Sequence, residues 1–192
     1  MIEGFRDAFR LPDLKRRILF VIGALFIFRL GTYIPTPGID ADAMSKFFES
    51  REGGVLGFMN LLTGGAMGRF GIFALGVGPY INSSIVMQLL TGAFPALAKM
   101  QKDEKGEGRK KITQYTRIAT IFFAIVQAIG LIALIRNAGV FTGGAFEWFL
   151  AVSTVTTGAI VVMWLGEVMS DHGIGNGTSM LIYAGIVARL PG

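Results

Sequence analysis

The sequence contains no cysteine, a single histidine and few charges: Asp, Glu, Lys and Arg make up 16% of its 192 residues, where soluble domains carry about 25%. Without cysteine there is no disulfide framework, no thiolate metal site and no cysteine nucleophile. The shortage of charge, with 52% hydrophobic residues, excludes a disordered chain. No Ser-His-Asp set, zinc-helix motif or phosphate-binding loop is present, so neither an enzyme nor a cofactor is expected. Glu167, Asp171 and His172 lie close together but are a weak metal signal, and Glu167 reads better as a solvated residue near a membrane edge. What the sequence has in excess is apolar surface, with a mean hydropathy of +0.57, and glycine, 27 residues against an ordinary share of about 7%. This is the composition of an all-α integral membrane protein.

Crossing roughly 30 Å of hydrocarbon takes about 20 apolar residues. Segments 18–34, 70–98, 117–135 and 146–165 meet that requirement, and 178–190 supplies a shorter fifth span. Residues 1–17 read as a cytoplasmic amphipathic segment, with Phe5, Phe9 and Leu11 on helical spacing. No small-residue cleavage site follows the first run, which ends at the turn Pro35-Thr36-Pro37-Gly38. Arg29 lies inside that run and either snorkels outward, the favoured reading, or binds a partner helix. Arg6, Arg10, Lys15, Arg16 and Arg17 precede the first span. Lys99, Lys102, Lys105, Arg109, Lys110, Lys111 and Arg117 lie in or beside the loop 99–116, so twelve of 18 basic residues fall on one side. The positive-inside rule makes that side cytoplasmic and, after five spans, places the C-terminal end outside. The net charge of +5 thus follows topology. Tyr115 is the one aromatic residue in the basic loop, so direct nucleic-acid readout is not expected.

Residues 53–69 fit neither span nor polar loop. They are glycine-rich, and the apolar core, 55–62, is too short to cross a bilayer. Such a segment is either a re-entrant helix inside a protein-lined cavity or an external loop with a hydrophobic patch. In the second span, glycine and Pro79 interrupt the helix, and Asn82, Ser83, Ser84 and Gln88 place polar groups within it. These groups either join neighbouring helices or face a watery path. Ile81 and Ile85, four apart, share one face and flank the polar cluster. The Gly-x-Gly-x-Gly at 173–177 lacks the dinucleotide spacing and has no strand before it; it reads as a helix stop with a tight turn needing positive φ.

Two stretches carry a resemblance: GIFALGVGPYINSSIVMQLL at 71–90 and WLGEVMSDHGIGNGTSML at 164–181, supported by RLGTYIPTPG at 29–38. With them the chain resembles the SecY family, the large subunits of bacterial protein-conducting channels, over essentially its whole length. The resemblance implies spans one to five, one half of a ten-helix pseudo-symmetric channel in the cytoplasmic membrane, and hence a fragment of a longer chain. It implies a plug at Gly57, Phe58, Met59, Asn60, Leu61, Leu62, Thr63, Gly64, Gly65, Ala66 and Met67. A constriction ring would take Ile81 and Ile85 from span two and Thr178 and Ile182 from span five, a threonine standing where an aliphatic residue is usual. A lateral-gate face would use Asn82, Ser83, Ser84 and Gln88, and the basic loop would present Lys105, Arg109, Lys110 and Lys111 to the cytoplasm. SecE, SecG, SecA, ribosomes and the translocated polypeptide are the implied partners, together with the other half of the channel. Half of a secondary transporter for a small solute is the alternative, because inverted repeats and broken helices occur there too. Against it stand the isoleucines at 81 and 85, the plug-like segment and the absence of buried acids suited to ion coupling within the spans.

Overall fold

A computed structural model describes residues 12–50, 54–101 and 107–188. The amphipathic reading of residues 1–11, residues 102–106 within the basic loop, Lys105 among them, and the end of span five lie outside them. The described residues form eight helices: α1 (Pro12–Tyr33), α2 (Ala41–Glu49), α3 (Val55–Leu62), α4 (Gly78–Ala93), α5 (Pro95–Gln101), α6 (Glu107–Asn137), α7 (Ala145–His172) and α8 (Gly177–Val187). Two of them, α6 and α7, are long and apolar enough to cross a membrane, or three spans if the bent pair α4–α5 counts as one.

Local chemistry sets the boundaries. Helix α1 starts on Pro12, whose missing N–H is harmless in a first turn, with Asp13 beside it. It stops before Pro35, where the preceding residue is driven out of the α region. Asp40 caps α2, its carboxylate accepting the Asp42 and Ala43 N–H groups at 2.9 and 3.3 Å. At the start of α7 the Glu147 carboxylate accepts the Gly144 N–H. Asn176 caps α8 by accepting the Ser179 N–H at 3.1 Å.

The expected second span, 70–98, takes a different form. Its helix begins only at Gly78, so Pro79 sits in the first turn and not in a helix interior. Residues 71–77 wind through turns, with Gly76 at φ +52°. The helix ends at Phe94, extended at φ −108° and ψ 113° ahead of Pro95, and α5 leaves at 110° to α4. The third helix begins at Glu107, ten residues ahead of the expected 117, so much of the basic loop is helical. Helix α7 runs on to His172, and Gly175, at φ +72°, makes the turn into α8.

Packing is organised around α6 and α7. Helices α4 and α7 both lie along α6, and α8 lies along α7. On α6 the buried positions Thr116, Thr120, Ala124, Ala128 and Ile132 recur every fourth residue. Small residues there let the neighbouring helices approach closely. One core joins α2 (Met44, Phe48), the turns (Met67, Phe70, Leu75), α6 and α7. A second joins α1 (Val21, Ala24, Phe28), the turns again (Ala66, Phe73, Val77), α7 and α8. A short bridge between Pro35 and Gly71 ties the end of α1 to those turns: Thr36 N–H donates to Phe70 O, and Ile72 N–H to Ile34 O, both at 2.9 Å.

Candidate channel face and plug

The glycine-rich stretch is folded against the helices and is not a free loop. Helix α3 leads into turns that its own side chains close. The Asn60 carboxamide oxygen accepts the Gly68 N–H at 2.6 Å. The Asn60 carbonyl accepts the Gly65 N–H and the Thr63 hydroxyl, and Thr63 Oγ1 accepts the Met67 N–H. Gly64, at φ +65°, meets Gly185 of α8 backbone to backbone: a Cβ at 64 would stand 3.0 Å from the Gly185 Cα. Only glycine fits both the left-handed conformation and that approach.

The eleven residues 57–67 divide in two. Phe58, Met59 and Leu61 are exposed, while Gly57 and Leu62 are half-buried. Asn60, Thr63, Gly64, Ala66 and Met67 are buried, and Gly65 is half-buried.

Arg29 does not extend away from the protein, as the snorkelling expectation had it. Its Nη1 donates to the Gly64 carbonyl at 2.9 Å and its Nη2 to the Tyr33 hydroxyl at 2.9 Å. The Tyr33 ring lies 4.9 Å from the Arg29 guanidinium carbon and 4.5 Å from that of Arg69, within cation–π range. The lone charge in an apolar run was visible in the sequence. Its acceptor, a backbone carbonyl 35 residues away, leaves no sequence signature.

The four positions expected to form a ring lie on α4 and α8. Ile81 and Ile182 are half-buried and pack against the edge of the second core. Ile85, one turn beyond Ile81, is 50% exposed. Thr178 is half-buried one turn before Ile182, and its hydroxyl lies 3.0 Å from where a Gly166 Cβ would stand, against α7.

The four polar residues of α4 do not share a face. Asn82 and Gln88 are exposed and Ser84 is half-buried. Ser84 and Gln88 border a groove of about 160 Å³ between α4, α5 and α6, with Tyr80, Thr113 and Thr116. Ser83 departs from the set. It is fully buried, and its hydroxyl lies 2.6 Å from Thr120 Oγ1 of α6, which is helix pairing. Arg109, Lys110 and Lys111 are exposed in the first turns of α6. Two turns after Lys110, Arg117 meets Glu167 of α7 in a two-bond pair at 2.9 and 3.0 Å. Glu167, only 12% exposed, is thus paired, not solvated.

Residues 71–192 match the family model described as SecY. The chain belongs to the SecY family. Among curated proteins it is similar to the protein translocase subunit SecY of Escherichia coli K12, 48% identical over 94% of this chain and 42% of that protein. The SecY of Thermus thermophilus is 43% identical over 98% of the chain and 44% of its own length, and that of a Buchnera aphidicola subspecies is 48% identical over 94% and 52%. This SecY-family chain therefore spans about half the length of the relatives it matches, or less. Among solved structures, Sec61 of the canine ribosome–channel complex superposes with a TM-score of 0.65 over 91% of the chain and 36% of Sec61, at 24% identity. A SecY structure described by a plug domain that stabilises the closed channel and maintains a membrane seal superposes at 0.62, over 89% of the chain and 35% of that one, at 25% identity. The all-helical SecY/Sec61 fold is thereby shared.

Proposed function

We propose that this SecY-family chain is the first half of a protein-conducting channel in the bacterial cytoplasmic membrane. It passes unfolded polypeptides across the membrane, releases apolar segments into it and catalyses no reaction. The observation that carries this reading is the seat of the short apolar helix α3 against α8, with Gly64 of its turns held between Arg29 of α1 and Gly185 of α8. A short helix at membrane depth is stable only where protein or a watery cavity surrounds it, as for a re-entrant plug. Ile81, Ile85, Thr178 and Ile182 then form half of a constriction. An apolar ring one side chain thick resists wetting and blocks ions when empty, and aliphatic side chains yield to a passing chain without hydrogen bonding to it. Asn82, Ser84 and Gln88 contribute the gate side of span two, with Ser83 holding span two to span three. In this reading α1, the α4–α5 pair, α6, α7 and α8 are five spans, the N-terminus and the basic turns of α6 face the cytoplasm, and SecE, SecG, SecA and ribosomes are partners of the complete channel.

A cross-link tests it. Because these residues include no cysteine, a single Ile85→Cys in the full-length channel, with native cysteines in the rest of the channel and in its partner subunits removed, is a clean probe. A secretory polypeptide carrying one cysteine is stalled halfway through. Ile85→Cys is expected to form the disulfide in high yield. Met87→Cys, at a position only 8% exposed, is expected to form almost none. Equal yields, or none at Ile85, would return the α4 face to helix packing and favour the transporter reading.

A further inference from the structure

We propose that Arg29 is a latch that holds the plug segment against the first span, a role that rests on the plug reading above. Arg29 is the one charge between Ile18 and Ile34, and its guanidinium is partly withdrawn from solvent. Among the described residues no carboxylate pairs with it or with Arg69. Two of its N–H donors go instead to the Gly64 carbonyl and the Tyr33 hydroxyl. A charge-assisted bond to a neutral carbonyl is stronger than an ordinary amide bond and strengthens further where water is scarce.

The position of Gly64 makes this bond a latch. Gly64 is the residue at which the plug turns touch Gly185 of α8, so one guanidinium fixes the point where α1, the plug and α8 meet. Tyr33, one turn after Arg29, orients the fork, and Arg69 stacks on the same ring. Arg69 thereby brings the far end of the plug turns to the same anchor. Once Gly64 leaves, the Arg29 charge has no partner among the described residues except Tyr33, which favours the closed seat.

The test uses the full-length channel with its partner subunits, reconstituted in vesicles. Ala66, fully buried within the plug turns, and Ala151, fully buried in α7, are each replaced by cysteine as single probes for a membrane-impermeant maleimide. Arg29→Gln is expected to speed modification of Ala66→Cys about tenfold, corresponding to about 1.4 kcal/mol, and to leave Ala151→Cys unchanged. Arg29→Lys, which keeps the charge but loses the fork, is expected to fall between. No change at Ala66→Cys, or an equal rise at both probes, would overturn the latch. Resting ion leak gives the second readout. Arg29→Gln should raise it in the intact channel and add nothing once residues 57–61 are deleted; an equal rise in both backgrounds would also overturn the latch. A leak indifferent to the 57–61 deletion would overturn the plug assignment itself, while Ala66→Cys protection still decides whether Arg29 holds the segment.

Discussion

Ser83 and Thr120 show how one buried atom pair fixes a helix pair. Their hydroxyls are 2.6 Å apart with no exposure at either residue, and each also donates or shares a bond with its own helix, to Tyr80 O and Thr116 O. A Ser83→Ala, Thr120→Val double-mutant cycle in the full-length channel is expected to return a coupling of about 1 kcal/mol, read from thermal unfolding in detergent. A coupling near zero would show that the pair is coincidental. Glycine positions divide just as sharply. A Cβ at Gly158 would overlap the Ile72 carbonyl oxygen, while one at Gly130 meets nothing within 4 Å. Gly158→Ala is therefore expected to destabilise by about 1–3 kcal/mol or more through overpacking, and Gly130→Ala to be neutral or slightly stabilising; the same melts distinguish them.

At the scale of the element, the bend between α4 and α5 comes from two adjacent residues. Phe94 is kept extended by the ring of Pro95, which also lacks the N–H that would continue the ladder. Pro95→Ala removes both obstacles. Spin labels at Leu89 and Lys99 should then show a new population near 15 Å, about the rise of ten residues of continuous helix; an unchanged distance distribution would place the cause of the bend in the packing of α5 on α6. Elements of this kind were legible to the extent that their cause was local. Apolar run length gave α6 and α7, and Gly175 gave the turn before α8, while the caps at Asp40 and Asn176 emerge only in the structure. Pro79 was equally visible, but apolarity runs unbroken through 71–77 and hides the point where the helix starts. Lys110 and Lys111 read as loop because charge marks the water boundary and not the helix boundary, and α6 continues through it. At the candidate site, the ring and plug positions came from the family resemblance. The bonds that seat them, Arg29 to Gly64 and Arg117 to Glu167, join residues whose spacing encodes nothing.

For the whole molecule, the decisive segment is 66–77, because it is shared by both cores. Met67, Phe70, Ala74 and Leu75 enter the core of α2, α6 and α7, while Ala66, Phe73 and Val77 enter that of α1, α7 and α8. Phe70 is fully buried at φ +46°, a conformation that a bulky residue adopts only when its surroundings impose it. The exposed side chains of α3 contribute to neither core. In the plug reading, helix α3 leaves its seat first, and Ala66 and the turns around it loosen from the cores only once Gly64 is released. Two deletions separate these roles. Removing 57–61 from the full-length channel should raise ion leak and lower the melting temperature modestly: Phe58, Met59 and Leu61 are all more than a third exposed, and the main loss is the buried Asn60 with its bond to Gly68, about 1–3 kcal/mol. Removing 57–67 also takes Ala66 and Met67, and losing the Met67 side chain alone should cost about 2–5 kcal/mol, with a melting temperature lower by several degrees. Equal melting temperatures for the two deletions would mean that 63–67 adds nothing to the cores and that they are joined only from Gly68 onward.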